Sequence, residues 1–221
     1  KKVGHREELK RSNLEKKPES IPSELGCRNI DESCDYPYTT ASHHLIPVRQ
    51  AYARVRRLVR MGNSVGYDIN NPKNGAPLPT YTRDVGRWDY TNLGPAKKQE
   101  IADGVMEATG KQWHVGHHRF DQKLEREGAD KPRGGEVTHE VSYDSAVLRK
   151  LLGICDKAGK DLCEKASPGK SFEQKMNGLS EEISGHLKKF GGKNPMSCRP
   201  FFVSMRAVAY AESRSAKRHG R

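Results

Sequence analysis

The chain has 221 residues with 40 Lys plus Arg against 28 Asp plus Glu, a formal charge of +12 and an isoelectric point near 9.5. An apolar fraction of 33% and a mean hydropathy of −0.90 are low for a globular chain, yet periodic apolar segments and eight tyrosines argue against global disorder. This length fits one domain, or one domain with a sizeable subdomain, and leaves room for a real core. No apolar run approaches a transmembrane span and no secretory apolar segment is visible, so no membrane segment is expected. A chain that opens on Lys1 is expected to be a fragment, a processed product or the end of a larger polypeptide. Its positive charge favours a polyanionic partner, nucleic acid first, although a solvated basic surface explains the charge alone about as well. The cysteines (Cys27, Cys34, Cys155, Cys163, Cys198) are odd in number and form no C-x-x-C pair, which disfavours a cysteine zinc finger and a dense disulfide framework. Reduced thiols are expected, with a Cys27–Cys34 bridge open to the chain in an oxidising setting.

In chain order, residues 1–24 are polar, and the Lys-Glu spacing in "HREELKRSNLEKK" suits a short solvated helix ended by Pro18 and Pro22. Residues 26–42 read as loop. From Pro47 the period turns helical: Val48, Ala51, Tyr52, Val55, Leu58 and Val59 gather on one face, and Gly62-Asn63 is the expected stop. Arg49, Arg56, Arg57 and Arg60 project from the other face with Arg54 on its flank, and no acid interrupts them. They could track a phosphate backbone or simply form the exposed side of an amphipathic helix. Tyr67 to Thr80 is turn-rich, with a tight-turn signal at Asn74-Gly75 and Leu78 bracketed by prolines. Pro95 to Thr109 predicts a helix with Gly110 past its end. Gln112 to Gly128 is expected to be helical at least from His114 onward, and Gly135 to Tyr143 alternates like a short strand. Ser142 could cap a helix through Val147, Leu148, Leu151 and Leu152. Phe172, Met176, Leu179, Ile183, Leu187 and Phe190 form an apolar stripe ending at Gly191-Gly192. Pro200 to Glu212 gives a last apolar segment, and "SRSAKRHGR" reads as a basic, frayed tail. There is no internal repeat.

Nine histidines are present, five of them in two compact groups: His43-His44, then His114, His117 and His118. On a helix His114 and His118 lie four residues apart and project from one face, a spacing that lets two imidazoles grip one cation. His43 or His44 is the obvious third donor. Adjacent side chains of a strand point to opposite faces, so one of the pair could bind metal while the other faces substrate. A lone histidine is usually a core or surface residue, and an i,i+4 pair alone is more often structural than metal-binding. The ordered set of a doublet, an Asn-Gly turn and a helical pair is much harder to obtain by accident. Asp121, three residues beyond His118, suits a solvated helix carboxylate better than a ligand.

"SHHLIP" (Ser42–Pro47), "NGAPLP" (Asn74–Pro79) and "HVGHH" (His114–His118) together resemble the HNH, endonuclease VII-like ββα-metal nuclease superfamily. The likeness is to the bacterial toxin branch named for an Ala-His-His signature, and the nuclease colicins share a similar doublet and helical pair. It covers about residues 41–125. The resemblance implies a ββα-metal (His-Me finger) core at 41–128 with a helical insertion, while the residue pattern alone gives the polar extension at 1–40, the helical C-terminal extension at 129–221 packed on the core, and hence a predominantly helical α+β fold. Carried over, His43, His114 and His118 are metal ligands and His44 is the general base. Asn74 orients that base or ties the two strands together. Ser42 stands where the branch usually has alanine. The long connection from Asn74 to His114 makes the Pro95–Thr109 helix an insertion. His117 competes for the helical-ligand place, and His118 is the better match where only one such histidine is used.

The chemistry implied is phosphodiester hydrolysis with one divalent ion (Zn, Ni, Mn or Mg), Lewis-acid help for the phosphate and leaving oxygen, and proton removal by an imidazole whose intrinsic pKa of about 6.5 suits neutral pH. Arg49, Arg56, Arg57 and Arg60 would clamp flanking phosphates. DNA is the expected substrate, with little sequence specificity. A ribonuclease of the same fold, a non-catalytic zinc-stapled nucleic-acid-binding module and a structural protein with incidental histidines are the alternatives. The likeness further implies the toxin domain of an antibacterial effector, delivered from a producer to act in the target-cell cytoplasm and held in check by an acidic immunity protein. A phage or mobile-element nuclease is the other source of such a module.

Overall fold

The computed structural model describes residues 38–80, 92–114, 142–164, 168–190 and 194–218. Among them five α-helices and one two-stranded antiparallel sheet give a mostly helical α+β arrangement. The N-terminal helix expected before Pro18, the Cys27–Cys34 pair and the segment holding His117, His118 and Asp121 lie outside the described residues. Cys155 and Cys198 are buried free thiols. No helix among the described residues is long and apolar enough to cross a membrane.

Strand β1 spans Thr39–His44 and pairs with β2, Gly75–Thr80. Both differ from the local sequence pattern, since β1 begins inside the stretch that reads as loop and β2 occupies a proline-rich stretch that reads as turns. Proline spacing resolves the second point. The Pro79 carbonyl accepts from the His114 N–H at 2.8 Å, and the N–H and C=O directions of one strand residue coincide. Pro77 and Pro79, two apart, therefore turn their donor-less nitrogens away from β1, and the ladder loses nothing. Asn74-Gly75 is not a two-residue hairpin turn. Asn74 closes a 3₁₀ turn over Pro72–Asn74, and Gly75 is already extended at φ −122°.

The helix expected from Pro47 is segmented. A turn on Pro47 leads into a 3₁₀ turn at Tyr52–Arg54, Val55 leaves helical geometry at ψ 74°, and helix α1 runs only over Arg56–Ser64. The apolar side chains still face inward: Val48, Ala51, Tyr52, Val55 and Leu58 are all buried. Periodicity thus reported burial correctly while the backbone delivering it changed form. Gly62 does not stop α1 either. The Tyr52 hydroxyl occupies the space its Cβ would need, so glycine is required by close approach. The stop is Gly66, at φ +71°.

Helix α2, Pro95–Thr109, begins on its proline and ends at Gly110, whose φ of +70° lets its N–H return to the Met106 carbonyl at 3.0 Å. Helix α3, Tyr143–Glu164, is capped as expected, the Ser142 hydroxyl accepting from the Ser145 N–H at 3.3 Å. Tyr143 therefore opens a helix rather than closing the expected strand, the rest of which lies outside the described residues. Helix α4, Pro168–Lys188, buries the stripe Phe172, Met176, Leu179, Ile183 and Leu187. Helix α5, Met205–Arg218, continues through what reads as a frayed tail. Arg214 holds it there by pairing with Glu107 and lying 5.5 Å above the Tyr210 ring.

The chain divides into two units that interleave in sequence. Among the described residues the first takes Ser42–Ala76 and Val147–Ser184, and the second takes the residues up to Ala41 with Pro77–Ala146 and Gly185–Arg221. The second unit is built on Ile101, Met106, Trp113, Phe190, Phe202 and Val208. Gln112 sits inside it with no exposure. Its Nε2 donates to the carbonyls of His186 (3.2 Å) and Phe201 (3.0 Å), and its Oε1 accepts from the Val203 N–H at 2.9 Å. Truncation leaves those buried groups unmatched. We predict that Gln112→Ala lowers stability by about 2–4 kcal/mol in urea titration, the lost bonds and the new void acting together.

Candidate active site

The histidine doublet owes its placement to strand alternation. His43 is 3% exposed, whereas His44, next along β1, is half-buried and reaches the surface. The His44 Nε2 lies 3.2 Å from the Asn70 Oδ1. An amide oxygen only accepts, so this contact calls for a proton on Nε2, and of the two neutral tautomers it favours the one that leaves Nδ1 as the acceptor nitrogen. Asn70 is itself held, buried to 6% exposure, with its N–H donating to the Asp68 Oδ1 at 2.9 Å. No motif marks Asn70. Its one trace in the sequence is the Asp-Ile-Asn-Asn-Pro run, whose short polar side chains favour local turns.

Asn74, fully buried, performs a different task. Its Oδ1 accepts from the Ile46 N–H (2.7 Å) and the Ser180 hydroxyl (3.2 Å), and its Nδ2 donates to the carbonyls of Ile46 (3.2 Å) and Ile69 (2.9 Å). Its main chain adds a bond to the Asn71 carbonyl and accepts from the Leu45 N–H. Both side-chain acceptor sites and both donor hydrogens are matched. The side chain thereby joins the residues just after the doublet to the turn that carries Asn70, while the ring nitrogen of His44 is met by Asn70 rather than by Asn74.

The turn is braced from below. Tyr67 packs edge-on against Phe172 with ring centroids 5.5 Å apart, and its hydroxyl accepts from the Asn71 Nδ2 at 3.3 Å. Burial pushes the Tyr67 phenol up to about 12, the Asn71 bond opposing and the charges of Asp68 and Glu173 adding to the rise.

His114 is buried but not helical. Its N–H is given to the Pro79 carbonyl and its own carbonyl accepts from the Thr80 hydroxyl at 2.9 Å, so the backbone follows β2 instead of starting a turn of helix. This corrects the expected helical start at His114, and the rest of the His114–His118 segment lies outside the described residues. His43 and His114 belong to different units, and His118 lies outside the described residues. Among the described residues no three His, Cys, Asp or Glu side chains are grouped to hold a metal.

Arg49, Arg56, Arg57 and Arg60 are exposed, as is Arg54. Arg57 is not a freely projecting cation, because its guanidinium lies where a Cβ of Gly159 on α3 would stand. Comparison of the chain with protein-family models, with curated proteins and with solved structures returns no match.

Two outcomes follow from the turn. Asn74→Ala strands two buried carbonyls and an N–H together, and we expect a loss of about 3–5 kcal/mol in chemical denaturation. Asn74→Asp is no rescue, since it sets a carboxylate against the Ile46 and Ile69 carbonyls. The Tyr67 proton is held more tightly in the folded chain than in the unfolded one. Its contribution to stability is therefore complete below about pH 10 and is lost as the pH rises from 10 toward 12. Melting temperatures of Tyr67→Phe at pH 8 and pH 11 should differ less than those of the unaltered chain, and an equal difference would remove Tyr67 from the alkaline transition.

Proposed function

We propose that the chain is a metal-dependent endonuclease that hydrolyses phosphodiester bonds of DNA with little sequence specificity, built on a ββα-metal core. One observation carries the proposal: tandem imidazoles at the end of a strand, one buried and one half-open, the open one held by an amide oxygen in the tautomer a general base needs.

In this mechanism His44 Nδ1 takes a proton from water as the water oxygen attacks phosphorus, and the P–O bond to the departing sugar breaks. Asn70 keeps the ring in register throughout, its Oδ1 accepting a hydrogen bond from the Nε2–H. Asn74 acts as a positioning residue, fixing the chain on which both His44 and Asn70 depend. His43, His114 and His118 are the donors that would hold the divalent ion, and imidazole nitrogens suit zinc and nickel by softness while leaving manganese and magnesium usable in an open site. That ion would supply Lewis-acid stabilisation of the phosphate and of the leaving oxygen. The exposed Arg49, Arg56 and Arg60 would meet flanking phosphates, with Arg57 restrained beside Gly159. The same proposal places the chain as the toxin domain of an antibacterial effector, acting in a target-cell cytoplasm and inhibited by an acidic immunity protein that covers a basic surface.

Supercoiled plasmid and total RNA, each with divalent ion or chelator, are the substrates that test this. The unaltered chain is expected to nick and linearise plasmid only with divalent ion. His44→Ala should lose roughly 10²–10⁴-fold in rate while keeping its metal stoichiometry, and Asn70→Ala roughly 10-fold. Undiminished cutting by His44→Ala would overturn the assignment of the base, and digestion of RNA alone would replace the substrate.

A further inference from the structure

The buried face of helix α4 is apolar at Phe172, Met176, Leu179, Ile183 and Leu187, and Ser180 breaks that pattern from inside. Ser180 has no exposure, and it stands one helical turn after Met176, where the period calls for another apolar side chain. A serine in a helix interior ordinarily turns its hydroxyl out to water or back to the carbonyl of the preceding turn. Here the hydroxyl donates to the Asn74 Oδ1 at 3.2 Å, a partner 106 residues away in the chain. Alanine would fill much the same space and favour the helix more, so packing alone does not call for a hydroxyl at this position. What the hydroxyl adds is a second donor to Asn74. The Oδ1 accepts from the Ile46 N–H on one side and from α4 on the other, which fixes the plane of the carboxamide and keeps its Nδ2 on the carbonyl of Ile69, beside Asn70. The same helix grips the other end of that turn. Phe172 meets the Tyr67 ring at 5.5 Å, and the Tyr67 hydroxyl accepts from the Asn71 Nδ2. About 12 Å of helix separates the two contacts, enough to span the turn that carries Asn70.

We propose that Ser180 is a positioning residue of the candidate active site, acting through Asn74 to keep the Asn70 amide against the His44 ring. Helix α4 is then part of the site, although the core expected at 41–128 does not include it. The consequence for hydrolysis rests on the nuclease proposal, whereas the effect on the ring does not. Loss of the hydroxyl leaves Ile46 as a partner for the Asn74 Oδ1, so the fold stands while the carboxamide gains freedom to tilt. That tilt loosens the hold on Ile69, and with it the register of the neighbouring Asn70 Oδ1 on the His44 Nε2. A serine that merely packed in the core would leave that contact as it is.

The ring nitrogens of His44 report on the contact directly. In the whole chain, in chelator and at about pH 8, where a free imidazole is neutral, their nitrogen-15 shifts give the tautomer ratio, and His44→Gln assigns the signals. Ser180→Ala is expected to raise the share of the minor tautomer roughly 2–10-fold, the equilibrium weight of one neutral hydrogen bond. Ile183→Val removes one buried methyl from the same helix and serves as the control for stability, leaving the ratio unchanged. With divalent ion and plasmid, Ser180→Ala should lower kcat by roughly the same 2–10-fold and leave KM within about twofold. An unmoved ratio in Ser180→Ala, or an equal change in Ile183→Val, overturns the proposal and returns Ser180 to the core. A Ser180→Ala chain that no longer folds overturns it as well, because the hydroxyl then serves the fold at large. A raised KM with kcat unaltered does the same. A chain that cuts no plasmid yet shows the Ser180-dependent ratio loses the nuclease assignment and keeps this one.

Discussion

A single buried carboxamide holds the candidate site together. Asn74 lies outside solvent, and its side chain spends two acceptor sites and two donor hydrogens on neighbours. In a low-dielectric interior such bonds are strong when complete and expensive when any partner is missing, so the set behaves as all or none. Only asparagine satisfies it: aspartate has no donors, and glutamine would carry the amide one methylene too far. The consequence reaches the surface. Leu45 and Ile46, immediately after the doublet, are tied to Asn74, and the Asn74 Nδ2 also holds the carbonyl of Ile69, the neighbour of Asn70. The 3.2 Å contact between the His44 ring and the Asn70 amide is therefore supported by bonds that neither side chain makes itself.

Gln112 applies the same device in the second unit, stitching three backbone segments from inside an aromatic core. Neither amide could be found by apolar periodicity, which weighs polar residues as surface. The resemblance to a nuclease motif drew attention to Asn74, and nothing drew attention to Gln112 or Asn70. Long amphipathic segments were the most legible part of the fold. Pro95 to Thr109 begins on its proline and ends at its glycine, and the Phe172 to Leu187 stripe is buried along its length, because terminator residues and a sustained 3.6 period specify both ends and face. Short or proline-rich segments were not. In β2 the prolines that read as breakers are accommodated because both fall on the edge away from β1, a fact that depends on a partner strand the local sequence does not mention. At His114 the backbone partner is again remote in sequence, Pro79 and Thr80, and it overrides a local pattern that could have continued as helix.

The arginines teach a related lesson about charge. Helical spacing from Pro47 suggested one cationic face, but the 3₁₀ turn and the break at Val55 divide Arg49 and Arg54 from Arg56, Arg57 and Arg60. Arg57 then lies over Gly159, where its long side chain covers backbone as well as carrying charge. A Gly159 side chain would displace it. Net charge of +12 is consequently a statement about the whole surface and not about one helix.

Tandem imidazoles at the end of a strand separate two requirements that conflict in one residue. A histidine meant to be held rigid benefits from burial, and one meant to exchange a proton with water must stay accessible. On a helix, neighbours lie about 100° apart and share an environment. On β1 they lie on opposite faces, so a difference in burial between His43 and His44 comes from the backbone at no cost in sequence length. Ending the strand at His44 adds the rest, because the chain is then drawn inward at Leu45 and Ile46 by Asn74 while the last ring is left at the rim beside Asn70. The doublet is useful only with both features present, alternation before it and a clasp directly after it. Shifting the clasp by one residue would bury the accessible imidazole and open the buried one, so the spacing between the doublet and Ile46 fixes which ring is accessible as firmly as the histidines themselves.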